Sequence, residues 1–296
     1  MSNFKRYLNM YEFESVLPGS GKTIKYKPIT TGQIKKLLLY EATDERDTIE
    51  EALDGLITEC VVTPDFNVGD MYLQDRFFLL VDLRRATKGS KYQFQTNCQK
   101  CKSQNMHNVD LGSLSIKHLV KPEPRTVVEN SLPVNTLKKK KPVKPGSLQL
   151  VEEKQVVESV ITKPEETLQE WGVVVLNENI SVRLNLLTRN IQVNSMSIME
   201  ASTKDKEYTD IQKAVMVATI TNALCVESII TPEGEEKDVE LVDKIYFLDN
   251  LTQTEMEKIS KWFNDNDFGL DFVITAKCEH CGDEVKRDIP VENFFY

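Results

Sequence analysis

The residues best suited to chemistry in this chain are two Cys-x-x-Cys pairs, Cys98 with Cys101 and Cys278 with Cys281. A thiolate pair at this spacing can bind one side of a zinc ion, and two pairs complete a tetrahedral shell with Zn–S bonds of about 2.3 Å. The sequence therefore predicts a structural Zn²⁺ site built from all four cysteines. Because sulfur fills every position of such a shell, no position remains open for a catalytic water.

Both pairs lie between runs of residues that are typical of β-strands. Tyr92 and Phe94 alternate with polar residues before the first pair, and Phe272 and Ile274 do so before the second. This pattern predicts two β-hairpins with two thiols at each tip. The alternatives are two redox dithiols, or surface cysteines with no shared role. Because a redox Cys-x-x-Cys motif is expected between a strand and a helix, the pattern favours two knuckles that meet in one zinc ribbon.

Nearly the whole chain separates the two pairs, whereas the pairs of an ordinary zinc ribbon lie about 15–20 residues apart. A metal bound by both pairs would close the fold as a clasp. The free energy of metal binding would then contribute to the free energy of folding.

Other motifs give no sign of catalysis. Residues 19–23, Gly-Ser-Gly-Lys-Thr, resemble the end of a phosphate-binding loop, but Val16 stands where that motif needs glycine and a strand pattern follows Lys22. His280 could replace a cysteine as ligand, but between two thiols it is expected to point to solvent or to hydrogen-bond outside the shell. No catalytic triad and no glycine-rich nucleotide fingerprint is recognisable. The sequence predicts a protein that is not an enzyme and has no small-molecule substrate.

Composition indicates a globular protein whose partners are proteins. The 296 residues are 40% hydrophobic, and 46 acidic side chains exceed 37 basic ones, which gives a net charge of −9. This balance provides no overall electrostatic attraction for nucleic acid or an anionic membrane. No run of about 18 apolar residues predicts a membrane span, and no secretory signal is recognisable. Four of the six cysteines lie in ligand-like pairs, which suits a reducing cytosol better than a disulfide framework.

The elements that position the first pair can be predicted from the periodicity of the apolar residues. A strand is expected around Ile24 and Tyr26, followed by a helix that opens near Thr30 and Thr31, where threonine is a good N-cap. Apolar stripes at helical spacing predict further helices over 47–61 and 73–86. The first hairpin follows.

The second half of the chain shows the same order of elements. A strand is expected around Val182 and Leu184, a helix over 211–226, an apolar-aromatic segment over 243–251 and a helix over 252–264. The fold class is therefore predicted to be α+β with two similar halves. Both duplication and chance similarity of short amphipathic segments explain this order, and Cys60 and Cys225 would then be buried at equivalent places with no function.

Between these halves, residues 121–170 hold six of the eleven prolines and the lysine run 138–141. This composition predicts a long linker, extended or disordered, so the domains are expected at 1–120, 121–170 and 171–296. The lysine run could dock on nucleic acid or an acidic partner, although a solvated linker is the simpler interpretation. A short strand or helix is possible at 151–160.

Several stretches resemble the T4-like baseplate protein family of contractile-tailed bacteriophages. They are Leu-Pro-Gly-Ser-Gly at 17–21 with residues 24–30, Asp-Arg-Phe-Phe-Leu-Leu at 75–80 ahead of the first knuckle, Asp-Phe-Gly-Leu at 267–270, the second knuckle, and the end of the chain at 289–296. Members of that family usually carry Cys-Pro-x-Cys, whereas Gln99 and Glu279 follow the first cysteine here. Ligation is unaffected, since only the sulfurs would coordinate.

The resemblance implies a role in the baseplate hub, as an assembly chaperone or a minor structural subunit, through contacts with other phage hub proteins. It implies no catalytic residues. It places the protein in the host cytoplasm during assembly, and retention in the tail baseplate of the virion stays open. The aromatic end at 294–296 is either a docking tip or part of the protein's own core.

A zinc ribbon that binds nucleic acid is the alternative function. Lysines around the knuckles would contact phosphates, but acidic residues crowd the second knuckle and oppose this. The lysines are Lys100, Lys102, Lys277 and Lys286, and the acidic residues are Glu279, Asp283, Glu284 and Asp288.

Overall fold

The chain combines helices with small antiparallel sheets, which confirms the predicted α+β class. The computed structural model describes residues 11–41, 46–121, 170–204, 207–289 and 294–295. Residues 1–120 and 172–296 group into one unit and residues 121–171 into another. Most of the predicted linker, including the segment 151–160, lies outside the described residues, so the predicted domain boundaries stay predictions.

The N-terminal part begins with a hairpin and continues with helices. Its elements are β1 (Phe13–Val16), β2 (Thr23–Tyr26), α1 (Thr31–Glu41), α2 (Arg46–Cys60), a short 3-10 helix (Val68–Asp70) and α3 (Leu73–Lys88). Ile24 and Tyr26 alternate inward from β2, as predicted. The Thr30 hydroxyl accepts the Gln33 N–H at 3.3 Å, and the Gln33 side chain accepts the Thr30 N–H at 2.8 Å. This reciprocal cap fixes the start of α1 at the predicted threonine.

The first cysteine hairpin follows α3. It consists of β3 (Lys91–Asn97) and β4 (Gln104–Asp110), and a two-residue strand, β5 (Ile116–Lys117), comes after it. Tyr92 and Phe94 point inward from β3, as the alternation predicts. The hairpin therefore grows out of a buried aromatic base and carries its cysteines at the far end.

The C-terminal part contains a four-stranded antiparallel sheet and four helices. Its elements are β6 (Val173–Val175), β7 (Ser181–Leu184), α4 (Arg189–Thr203), α5 (Asp210–Cys225), β8 (Val226–Thr231), β9 (Gly234–Glu236), α6 (Leu241–Asp249), α7 (Gln253–Asp265), β10 (Gly269–Leu270), β11 (Val273–Lys277) and β12 (Glu284–Asp288). The sheet has the order β6-β7-β8-β9. β10 pairs with β5, and β11 with β12 forms the second cysteine hairpin.

Two apolar cores lie under these elements. One is built mainly by β2, α2, α3 and β3, and the other by the four-stranded sheet with α5, α6 and α7. Phe294 and Phe295 belong to the first core, and the ring of Phe294 lies 5.0 Å from that of Tyr92. These two aromatic residues therefore pack on their own fold and are not a docking tip, while Tyr296 lies outside the described residues.

The turn at 17–20 connects the two parts of the chain. The buried carboxylate of Asp75 accepts the backbone N–H of Gly19 at 2.7 Å and of Ser20 at 2.8 Å. A Cβ atom on Gly19 would lie 2.1 Å from Cε2 of Phe268, so only glycine allows this ring to pack on the turn. Three of the stretches that resemble the phage family therefore meet at one place.

A second connection is ionic. Asp54 on α2 accepts from Arg76 of α3 at 2.6 Å and from Arg189 of α4 at 2.7 Å. Both arginines are at least nine-tenths buried. Beside this cluster, Tyr72 and Thr188 form an isolated antiparallel β-bridge. The helices before the first hairpin are thus joined directly to those before the second.

The two remaining cysteines are buried in the core, as predicted. Cys60 closes α2 and Cys225 closes α5, and their exposed fractions are 1% and 2%. Burial raises the pKa of the Cys60 thiol to about 11 and that of the Cys225 thiol to about 12. Both therefore remain protonated near neutral pH and act as small apolar side chains.

Candidate metal centre

The two cysteine hairpins form the same turn. Cys98 donates its backbone N–H to the carbonyl of Ser103 at 2.8 Å, and Cys278 donates to that of Asp283 at 2.8 Å. The N–H that follows each second cysteine returns to the carbonyl of the first at 2.9 Å, in both hairpins. The two knuckles are therefore built alike from different sequences.

Equivalent residues in the two turns also share an unusual backbone conformation. Lys102 has φ of 60° and Gly282 has φ of 73°. A positive φ is unstrained for glycine and unfavourable for a residue with a Cβ atom. The second knuckle has the residue that suits this turn, and the first does not.

The hairpins bring the four predicted cysteines together. All four sulfur atoms lie within 4.8 Å of one another. The Cys98 and Cys281 sulfurs are 3.7 Å apart, and so are those of Cys101 and Cys278. A regular tetrahedron with Zn–S bonds of about 2.3 Å has sulfur–sulfur edges of about 3.8 Å. The arrangement fits an all-sulfur zinc shell, and each close pair takes one cysteine from each hairpin.

The four thiols differ in exposure and acidity. Cys98 and Cys278 are buried, whereas Cys101 and Cys281 are exposed. The hydroxyl of Ser103 lowers the pKa of Cys101, and it contributes most to the pKa of about 5 for Cys278. A backbone hydrogen bond at Asp283 lowers the pKa of Cys281, but partial loss of hydration and the neighbouring sulfurs outweigh it and raise that pKa to about 12. Four thiolates this close repel one another unless a cation lies between them.

A family model described as T4 bacteriophage base plate protein matches residues 9–295, nearly the whole chain. The chain belongs to this base plate family. Comparison with curated proteins and with solved structures gave no match. The resemblance inferred from the sequence is confirmed, and the family match also spans residues 121–170, which that resemblance did not cover.

Membership supports a role for this base plate family protein in the tail baseplate of a phage and contacts with other phage proteins. In the part of the chain that the structure describes, no helix combines the length and apolar character needed to cross a bilayer.

Two of the four lysines around the knuckles have acidic partners. Lys100 lies 3.7 Å from Asp283, and Lys277 lies 3.7 Å from Glu284. Acidic partners at these distances compete with phosphate for both lysines. This geometry weakens the nucleic-acid alternative at the place where that alternative needs basic side chains.

Polar residues that the cysteine spacing does not predict support the cluster of sulfurs. Asn105, 4% exposed, accepts the backbone N–H of Glu279 at 3.0 Å and donates to the Ser103 carbonyl at 3.1 Å. The Ser103 hydroxyl lies 2.8 Å from the Cys101 sulfur. One buried amide of the first hairpin thus binds the turn of the second. The sequence does indicate that Asn105 is buried, since it occupies an inward position in the alternating pattern of β4.

Two other candidates from the sequence gain no support from the structure. His280 is exposed, as expected for a residue outside a metal shell. Lys22 of the loop-like stretch is followed directly by β2 and not by a helix. A phosphate-binding loop needs a helix at that point to place its N-terminus against the anion.

Proposed function

We propose that this protein assembles the baseplate hub of a contractile phage tail, as a chaperone or as a minor structural subunit. It would act through protein–protein contacts in the host cytoplasm and would not be an enzyme. Membership of the base plate family supports the setting. The proposal of a structural role rests above all on the four convergent sulfurs, because a complete all-sulfur shell offers no position for a substrate or a catalytic water.

In this proposal, Cys98, Cys101, Cys278 and Cys281 hold one structural Zn²⁺. Their close pairs are separated by 183 and 177 residues along the chain. Zinc would link two hairpins that the backbone joins only through a very long loop. Its chemistry would be structural, since it would stabilise the folded chain relative to the unfolded one.

The protein would also consist of two similar halves joined by a linker. In support, each half has a β-hairpin, two helices, further helical structure and a cysteine hairpin in the same order. The equivalent backbone hydrogen bonds of the two knuckles also support similar halves. Residues 121–170 would be the linker, with the halves at 1–120 and 171–296.

Metal analysis tests the zinc proposal. The full chain, purified without chelator, is expected to contain one zinc per molecule by elemental mass spectrometry, and Cys98→Ser or Cys281→Ser should lose it. His280→Ala is the matched control, because His280 lies between Cys278 and Cys281 in the sequence and its side chain is exposed. A folded parent protein without metal would contradict the zinc site and leave the baseplate role standing.

Quantitative mass spectrometry tests the role in assembly. The protein is measured in purified phage particles and in the lysate of infected cells, together with baseplate proteins that co-purify with it. Several copies per particle identify a structural subunit, and presence in baseplate intermediates with absence from particles identifies an assembly factor. Absence from both particles and intermediates would refute the proposal.

A further inference from the structure

Helix α5 presents an apolar stripe to solvent. Its exposed positions include Ile211, Ala214, Val215 and Ala218, which recur at helical spacing along one side. Ile211 is 77% exposed and Val215 is 60% exposed. Ile220 and Ala223 are buried on the other side of the helix, and the stripe itself ends at the buried Cys225.

The neighbouring helix α4 shows that this stripe is unusual. α4 packs against α5 as a helical hairpin, but its exposed positions are mostly polar, as at Asn190, Asn194 and Ser197. Solvent-facing stripes of helices are normally polar in this way. The apolar stripe of α5 is therefore not a general property of this helical pair.

Helix α6, which packs against α5, carries a second apolar pair. Val242 is 73% exposed and Tyr246 is 70% exposed, one turn apart on α6. Because α5 and α6 pack against each other, we consider their exposed apolar side chains together, since apolar patches on a protein surface are typical of protein interfaces. We call the exposed side chains Ile211, Val215, Val242 and Tyr246, with the two alanines of α5, the α5–α6 surface.

The charge around this surface indicates what can bind. Residues 207–250 carry ten acidic and three basic side chains, so they hold most of the net charge of −9 of the whole chain. Asp210, Asp243 and Asp249 are exposed on the same two helices as the apolar residues. Anionic lipid headgroups would be repelled. A second copy of this surface would bring acidic residues against acidic residues, so a symmetric dimer is disfavoured too.

We propose that the α5–α6 surface binds a basic amphipathic helix of a partner protein. Ala214 and Ala218 lie beside Ile211 and Val215 at helical spacing, and their small side chains leave room for the side-chain ridge of a partner helix. Basic residues beside that ridge would pair with the surrounding aspartates. The inference rests on the proposed action through protein contacts, and it is independent of the metal site.

Site-specific photocrosslinking tests the proposal in infected cells. The photoreactive residue p-benzoyl-phenylalanine replaces Val215 in the full chain, and it replaces Asn194 on the polar side of α4 as the matched control. A crosslink from position 215 and none from position 194 is expected, and sequencing of the crosslinked peptide should give a basic amphipathic helical segment. A crosslink to a copy of this chain, to lipid, or to an acidic or extended segment would overturn the proposal, as would equal yields at the two positions.

A second variant separates binding from folding. Ile211→Glu with Val215→Glu puts charge on exposed positions, so the melting temperature and zinc content should not fall. A crosslink from p-benzoyl-phenylalanine at Tyr246 should then be lost. If that crosslink survives the double substitution in a folded protein, the surface does not bind the partner as proposed.

Discussion

The residue after each Cys-x-x-Cys pair determines how easily its turn forms. Lys102 and Gly282 occupy equivalent positions with positive φ, and only glycine adopts this conformation without strain. The turn of the first knuckle is therefore formed against the intrinsic preference of its own residue.

Lys102→Gly is expected to stabilise the protein by about 1 kcal/mol, because it removes the unfavourable contact of Cβ in the left-handed conformation. The reciprocal substitution Gly282→Lys should destabilise the protein by a similar amount. Urea unfolding of the zinc-saturated protein measures both changes in the free energy of unfolding. A loss of stability in Lys102→Gly would show that the Lys102 side chain contributes more than its backbone strain costs.

At this scale, sequence analysis predicted the residues that carry a chemical pattern. The spacing of the four cysteines predicts a metal site, and the position of His280 between two thiols predicts a residue outside the shell. Asn105 was missed, because its role depends on the backbone of Glu279, which lies 174 residues further along the chain. The sequence around Asn105 does not indicate a partner so far along the chain.

Among the elements, three helices depend on one carboxylate. Asp54 of α2 binds the buried guanidinium groups of Arg76 on α3 and Arg189 on α4. Without Asp54, Arg76 keeps its ion pair with Glu50 at 2.9 Å, but the buried charge of Arg189 loses its carboxylate, and such a loss costs about 3–5 kcal/mol.

Asp54→Ala should therefore lower the free energy of unfolding by about 3–5 kcal/mol, measured in denaturant. Glu51→Ala on the same helix is the control, because Glu51 is exposed, and it should change stability by less than about 0.5 kcal/mol. Equal effects of the two substitutions would mean that the cluster does not hold the helices together.

The ends of the predicted linker offer a test of the domain boundaries. The Lys121 ammonium lies 4.4 Å from the centre of the Trp171 ring, so the residues at the two ends of the predicted linker lie close together. A Gly/Ser linker of about eight residues spans about 15 Å, which is enough to connect these two residues. Replacement of 122–169 by that linker should leave the melting temperature and zinc content unchanged. A large loss of stability would show that the segment is part of the fold.

Sequence patterns predicted the helices with a clear apolar stripe better than the short strands, but they gave no helix at α4. The expected helices over 47–61 and 73–86 correspond to α2 and α3, since their apolar stripes are long enough to recognise. β6, Val173–Val175, is only three residues long although valine favours strands, and β9, Gly234–Glu236, has no residue that favours a strand. They are strands because β7 and β8 provide hydrogen-bonding partners.

For the whole molecule, the proposed zinc site closes a loop of at least 177 residues. In the chain-entropy model, a cross-link over this length stabilises a protein by about 5 kcal/mol. A typical domain has only about 5–15 kcal/mol of total stability. Loss of the metal would therefore remove a large part of it.

Cys98→Ser and Cys281→Ser are accordingly expected to unfold much of the protein, or to lower its melting temperature sharply, as measured by circular dichroism. Chelation of zinc from the parent protein should have the same effect, and His280→Ala should have none. Cysteine variants that melt like the parent and still retain metal would show that the four sulfurs do not act as one site.

The contacts between the two parts of the chain were beyond sequence analysis. Phe294 and Phe295 pack in the core of the N-terminal part, and Phe268 packs on the turn at Gly19. Such contacts depend on the shape of the assembled fold, whereas apolar periodicity reports only that a side chain is buried.

The two knuckles are synthesised at different times. Cys278 follows Cys101 by 177 residues, which corresponds to roughly 10–35 s of synthesis at about 5–20 residues per second. During that interval a growing chain can offer zinc only half of the proposed ligands. A chain that stops early never completes the shell, so zinc retention would distinguish finished molecules from truncated ones before they reach a growing baseplate.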